Sequence, residues 1–482
     1  MSTEPSGSPA PSGSREPFGG RGFRGRLVAT IGVLAAAAAG LAVAGAVQGP
    51  KLQAATVDTT AVTEVAGSRV VLELNQAIDR VDGELRVEPV EPAELTVDDD
   101  RLVVEFERPL PYDTEFTVTV DGVVGAVQQT PATVSHRFTT ADGELYTLAR
   151  RSPDGESDAV LRGAVSGGGD AEAVLEAPRI LTFAHAGGAV AAVTFEDDDT
   201  HALLIAGIGD EAQALSLPER GWVRSIAGST THPLIGFVLD GAVPPGTQTP
   251  PQYESALFTL DVSGQNAAPE PVLGIDGEPM RVLDWAFVPG TASIVVQDFD
   301  GAMFIVDALG LSPPSPLGSH QEMRGLLPGT TELIVADPDR GSIVDLETGE
   351  SRENVLPSAE LPENAYPGRV TQLTADGTHL LGVLLAVTAA DGTVQAQSLL
   401  SLVSTSGTAL RYTPADGSRM LGYCASPNGR LAAVETAPID AASDGYPNAP
   451  ASRDRLTTII DVATGATVRV QTGGASDWCG AG

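Results

Sequence analysis

One lysine, Lys51, occurs in the 482 residues; all other basic positions are arginine. A Ser–Lys nucleophile therefore has no lysine to draw on beyond residue 51. The pattern GxSxG is absent. The six histidines, His136, His185, His201, His232, His320 and His379, are scattered. None has another at i+2 to i+4, so no zinc spacing exists along the chain. Positive charge is scarce in general. The formal net charge is -35, which argues against nucleic acid or an anionic membrane surface as partner, since both would be repelled. Cysteine is limited to Cys424 and Cys479.

Long apolar runs are also scarce, with one exception. Residues 27–47, LVATIGVLAAAAAGLAVAGAV, carry no charge and one hydroxyl, Thr30. A helix of that length matches a hydrocarbon core of about 30 Å. Arg15, Arg21, Arg24 and Arg26 precede it, and Lys51 and Arg69 are the first basic residues after it. The positive-inside rule then predicts a single-pass signal anchor in the cell membrane, N-terminus cytoplasmic and bulk extracellular. The alternative is secretion after signal cleavage at Ala44-Gly45-Ala46. Residues 1–26, rich in Ser, Pro, Gly and Arg, read as a disordered cytoplasmic tail. Their Gly20-Arg21-Gly22-Phe23-Arg24-Gly25 matches GxGxxG, but no strand precedes it, so the match is accidental.

What the rest holds is β structure. Hydrophobic residues make up 42%, enough for real cores. Residues 52–141 alternate with period two in RVVLEL (69–74), RLVVEF (101–106) and EFTVTV (115–120), separated by turns such as Arg80-Val81-Asp82-Gly83. About seven strands in such a span predict a β-sandwich. The run Pro109-Leu110-Pro111-Tyr112-Asp113-Thr114-Glu115-Phe116-Thr117-Val118-Thr119-Val120 and the ending His136-Arg137-Phe138-Thr139-Thr140 resemble the bacterial Ig-like domains of the S-layer (SbsA) type. That resemblance implies a spacer or adhesive module without catalytic residues. Ala141-Asp142-Gly143 reads as the joint to the next domain.

Residues 143–482 show a weak repeat of roughly 40–60 residues. The units open at Arg179-Ile180-Leu181-Thr182-Phe183, Trp222-Val223-Arg224-Ser225-Ile226, Arg281-Val282-Leu283-Asp284-Trp285, Glu322-Met323-Arg324-Gly325-Leu326, Arg369-Val370-Thr371-Gln372-Leu373 and Arg419-Met420-Leu421-Gly422-Tyr423. A turn and an apolar strand follow each, which predicts four strands per unit and a β-propeller. Three strands at 144–177 lack a first strand. Ser476-Asp477-Trp478-Cys479-Gly480 looks like a first strand with nothing after it. Together they predict a seven-bladed ring closed by both ends of the repeat region. Ser426-Pro427-Asn428-Gly429-Arg430-Leu431-Ala432-Ala433-Val434 resembles TolB-like and WD40-like propellers. The Arg-only basic set and the Ala, Gly and Val content resemble an actinobacterial-type envelope protein.

The fold class expected is thus all-β: transmembrane helix, Ig-like sandwich, seven-bladed propeller. Cys424 and Cys479 follow Tyr423 and Trp478 at equivalent places in consecutive first strands. They are expected to form a disulfide; two buried thiols are the alternative, because adjacent inner strands can hold their Cα atoms too far apart. Asp197-Asp198-Asp199, Asp298-Phe299-Asp300-Gly301 and Asp337-Pro338-Asp339 fall between second and third strands. Carboxylates there suit calcium, but none completes the loop with its terminal Glu, and tight hairpins need the same residues. No cofactor is expected. Three functions compete: a binding protein, an envelope enzyme with a site at the propeller channel, and a structural wall component. The first is favoured, with an envelope protein or glycan as partner. The longest insertions, 241–254, 357–368 and 438–454, share one propeller face and carry Tyr253, Tyr366 and Tyr446 beside prolines. Those tyrosines are the candidate partner-binding residues.

Overall fold

The computed structural model describes residues 25–37, 49–151, 156–167, 169–243, 246–247, 249–264, 268–388, 392–446 and 450–479. Residues 25–37 are helical. Among the described residues no helix is long and apolar enough to cross a membrane. This overturns the single-pass anchor and the cell-membrane location inferred from the apolar run. Most of the tail, the end of the run and the proposed cleavage site lie outside the described residues.

Eight strands follow: β1 (Leu52–Val57), β2 (Arg69–Leu74), β3 (Ile78–Val81), β4 (Leu85–Glu88), β5 (Ala93–Asp98), β6 (Arg101–Phe106), β7 (Glu115–Gly125) and β8 (Ala132–Thr139). They form two antiparallel sheets, β1-β2-β6-β5 and β3-β7-β4, with β8 on the other side of β7. Alternation does the sorting. Val70, Leu72 and Leu74 face inward with Leu102, Val104 and Phe106 from β6 and Phe116, Val118 and Val120 from β7, all fully buried in one core. A short helix, Ala61–Glu64, links β1 and β2 and adds Val62 to that core. Nothing in the strand pattern announced this helix.

Residues 144–472 form seven antiparallel meanders in chain order. We number them sheet I (144–177), II (180–215), III (221–271), IV (284–319), V (322–354), VI (365–412) and VII (418–472). Sheets II to VII have four strands, and their first strands lie where the six repeat openings predict. Sheet I has three. Beside its strand Glu144–Ala149 runs the C-terminal segment, joined through the Leu148 and Gly474 bridge. The expected terminal strand at 476–480 is instead a 3-10 turn, Asp477–Cys479; its hydrogen bonds come mostly from side chains.

Each sheet packs its apolar face on the next. Leu175 meets Phe183 and Val190 between I and II. Val193 meets Phe237 between II and III, and Val238 meets Trp285 between III and IV. Val295 meets Leu333 between IV and V, and Asn354 bonds Gln372 at 2.8 Å between V and VI. Leu380 meets Tyr423 between VI and VII. Leu145 and Val165 of sheet I pack in turn with Cys424, Ala433 and Ile459 of sheet VII. At that seam Cys424 and Cys479 are bonded, with Cα atoms 5.1 Å apart, inside the range that adjacent strands must meet.

Candidate functional site: the two faces of the ring

An antiparallel meander puts the connections between strands one and two, and three and four, at one end of each sheet. Those between two and three, and from sheet to sheet, lie at the other. The two ends build two different faces.

The first face is covered by the N-terminal unit. Ala66 N–H donates to the Gly329 carbonyl at 2.7 Å in the first turn of sheet V. Gly329 has φ +67°, and a Cβ there would lie 2.4 Å from Pro109 and 2.8 Å from the Glu64 carbonyl; only glycine fits both the backbone and the approach. In sheet VII, Asn428 Nδ2 donates to the Leu110 carbonyl at 3.3 Å and Arg430 Nε to the Pro109 carbonyl at 2.9 Å. Arg430 also pairs with the nearly buried Glu91 at 2.7 Å. The joint itself is tied down. Gly143 sits on the Tyr112 ring, and Ser166 Oγ bonds Asp142 at 2.7 Å and Asp113 at 3.0 Å. A cavity of about 230 Å³ remains between Arg108, Pro109, Leu373 and Arg430.

Beneath the short helix a set of ionisable groups converges. The Tyr146 ring stacks on His185 with centroids 4.0 Å apart. Tyr146 Oη donates to Glu144 at 2.8 Å, and Arg162 Nε to the same carboxylate at 2.9 Å. Asp477 accepts from Tyr146 N–H at 3.0 Å, and its other oxygen lies 3.9 Å from His185 Nδ1. Burial, with the negative charges of Asp58 and Glu144, pushes the Glu64 carboxyl up to about 7. Burial pushes Asp477 up to about 7 as well, against the pull of backbone N–H donors. Burial takes His185 down to about 4. Burial also acts to raise Glu144, but the bonds from Arg162 and Tyr146 outweigh it and hold that group low. Near neutral pH the Glu64 and Asp477 carboxyl groups are therefore part-way through their titration, while the imidazole is neutral. Among the described residues no group of three His, Cys, Asp or Glu is set to hold a metal ion.

The second face carries the insertions, and the three candidate tyrosines differ on it. Tyr446 is buried; its hydroxyl donates to Asp158, and the Arg150 guanidinium lies 4.8 Å over its ring while pairing with Asp444. It holds its loop to sheet I and presents nothing to a partner. Tyr253 is half-buried, its ring edge-on to Phe258 at 5.0 Å. Tyr366 alone of the three is open, 63% exposed. The prolines that flank all three gave the sequence no way to tell them apart. Asp298 Oδ1 accepts from the N–H groups of Asp300 and Ala302, and Asp198 Oδ1 from Thr200 N–H and Oγ1. Asp298 serves its own turn, and Asp198 additionally pairs with Arg220. Two clefts open on this face. One of about 550 Å³ lies between sheets II and III at Asp197, His201 and Arg220. One of about 450 Å³ lies between VII and I at Arg150, Arg151 and Arg455.

Residue types alone did not disclose the contacts of Glu64, Tyr112, Tyr146, His185 and Asp477, which are far apart in the chain. Asn428 and Arg430 lay within the Ser-Pro-Asn-Gly-Arg turn, whose similarity to other propellers was visible; their role under the N-terminal unit was not.

No family model matches the chain, and no curated protein matches it. Among solved structures, a dihydro-heme d1 dehydrogenase NirN is similar with 14% identity over 69% of this chain and 74% of that one, TM-score 0.38. A putative TolB from Agrobacterium tumefaciens is similar with 12% identity over 69% and 91%, TM-score 0.30. A mitotic checkpoint complex chain is similar with 14% identity over 59% and 82%, TM-score 0.31. Nothing in these comparisons bears on the S-layer-type Ig-like resemblance or on an actinobacterial source. The similar structures include TolB-type and WD40-type β-propeller proteins, all at low identity, and this chain is all-β with many antiparallel sheets.

Proposed function

We propose that the chain is an interaction protein: a seven-bladed β-propeller whose one face is capped by an N-terminal Ig-like sandwich and whose other face receives a partner. One observation carries this reading. The N-terminal unit is bonded onto the short-turn face, through Gly329, Asn428 and Arg430, while the long insertions, the two larger clefts and Tyr366 lie on the face opposite. Long loops on a rigid scaffold are a frequent seat of recognition, and tyrosine gives a large amphipathic contact for little entropy. The partner is a polypeptide or glycan. A nucleic acid would be repelled by a chain of net charge -35.

A photoreactive residue in place of Tyr366 should yield a discrete cross-linked species in extracts of the source cell. The same residue at Gly349, in a short turn, should not. Equal labelling from both positions, or labelling from Gly349 alone, puts the binding surface elsewhere. An enzyme reading draws on the Glu144, His185 and Asp477 cluster. Glu144 and Asp477, however, are engaged by Tyr146 and Arg162 rather than directed at an open cleft.

A further inference from the structure

Sheet VI is the one whose second and third strands outrun the others. Its strands are Ala365–Gln372, His379–Thr388, Val394–Ser404 and Gly407–Tyr412. The second and third pair all the way from His379 with Val403 to Thr388 with Val394. The fourth pairs the third only from Leu400 to Ser404. The stretch Val394–Ser398 therefore has a ladder on one side and, among the described residues, no strand on the other. Alternate residues of this stretch turn their N–H and C=O groups outward.

Open edges elsewhere in the ring are blunted in the usual ways. The outer strands of sheets I and V carry Glu172 and Glu176, and Arg352 and Glu353. Those of III and IV carry Pro271 and Pro316, that of VII carries Arg469, and that of II is three residues long. Val394-Gln395-Ala396-Gln397-Ser398 has no charge and no proline. Its side chains continue an exposed apolar strip. Cross-strand pairing puts Tyr366, Leu384 and Ser398 in one row and Ala386 with Ala396 in the next. Tyr366 is 63% exposed, Leu384 48% and Val394 70%.

We propose that this edge binds an extended polypeptide segment bearing lysine or arginine side chains, which adds to sheet VI as a further strand. Strand addition supplies backbone hydrogen bonds along Val394–Ser398, and the strip receives alternate side chains of the guest. The cationic character follows from charge. The chain carries -35 overall, and the segment packed against Leu399 presents Glu360 and Glu363 to solvent. A second copy of this chain is a poor occupant. It brings the same negative charge, and an edge of ~17 Å supplies far less than the roughly 800 Å² per partner of a stable interface. The inference rests on reading this face as the recognition surface, and its test separates the two.

The test uses the full chain and the amidated peptide (Lys-Val)4 at low salt, followed by fluorescence anisotropy and by amide hydrogen exchange. Binding that weakens with salt, with exchange at 394–398 slowed at least tenfold, is expected. The same peptide N-methylated at alternate residues, in both registers, should bind at least tenfold more weakly, and (Glu-Val)4 should not bind. Q395K with Q397K, which places two cations on the edge, should weaken (Lys-Val)4 by a similar factor. Binding indifferent to N-methylation, protection only outside 394–398, or no binding overturns the proposal. If a peptide binds without protecting 394–398 yet loses affinity in Y366A, the recognition face stands and the edge does not. If the free protein already protects 394–398 and sediments as a dimer, the occupant is a second copy and the proposal falls.

Discussion

The two ends of the seven sheets are made from the same strands and differ in what their connections do. On the covered face the turns are short, and their backbone groups and small residues are spent on the N-terminal unit: Gly329 on Pro109, Asn428 on Leu110, Arg430 on Pro109 and Glu91. On the open face three connections are long, and the short ones bond largely within themselves, as at Asp298. At Gly329 the docked face has no room for an added atom. A face free of such docking accumulates insertions at little thermodynamic cost.

The sharpest way to break this contrast is at the seam beneath the covered face. Replacing both Cys424 and Cys479 by serine frees a loop of sequence separation 55 and should cost about 4 kcal/mol. The urea midpoint should fall accordingly, and exchange at 145–148 should rise before any change at 394–398. An unchanged midpoint would mean that the terminal segment is held without the bond.

Next comes pH. Glu64 titrates at about 7 in the folded chain against 4.5 ordinarily, and Asp477 at about 7 against 3.8. Between the ordinary and the folded value, each binds a proton that the unfolded chain has lost. Stability from these two groups is thus complete below about 4 and is lost as pH rises to about 7. His185, at about 4 against 6.5, works the other way: the unfolded imidazole holds a proton the folded one lacks, so it adds stability as pH rises through that window. Two groups oppose one, and the covered face should be held more tightly at pH 5 than at pH 8. Glu64→Gln should make the protein more stable than wild type at pH 8 by on the order of 3 kcal/mol, with little gain at pH 4. Denaturation at the two pH values, with proteolysis at 140–143 as the local readout, decides it. A wild type equally stable at both, with Glu64→Gln neutral at pH 8, would remove the buried charge from the account of this face.

The smallest effects distinguish tyrosines within the open face. Tyr446→Phe removes the hydroxyl that donates to Asp158 and should cost about 1–3 kcal/mol. Tyr366→Ala should stay within about 0.5 kcal/mol, while weakening any partner that uses this face. Equal costs for the two would mean that exposure does not separate anchor from contact here.

Much of the fold was legible because it rests on local patterns. Period-two alternation located β2, β6 and the start of β7, and six repeated openings located the first strands of sheets II to VII. The pairing of Cys424 with Cys479 is as expected, although Cys479 sits in a 3-10 turn and not in the first strand that suggested it. What was not legible depends on distant backbone. The bonds of Ala66 to Gly329 and of Asn428 to Leu110 use main-chain groups that every residue has, so no residue type marks them. Tyr446 reads like Tyr366 in sequence because each is followed by proline; the Asp158 that its hydroxyl bonds is 288 residues away. Hydropathy favours a membrane helix because composition alone reads an Ala-Gly-Val run as a span, whereas among the described residues no helix is long and apolar enough to be one.

The bond from Tyr146 to Asp477 reaches across 331 residues. At roughly 5–20 residues per second of synthesis, the strand Glu144–Ala149 is made about 15–65 seconds before the segment that lies beside it. The N-terminal sandwich, finished by Thr139, has no such delay. For that interval sheet I offers a bare apolar edge to any neighbour, including the late segment of another nascent chain. Yield of the monomer should therefore depend on how far apart ribosomes are spaced on the message, a property of translation that the finished ring no longer displays.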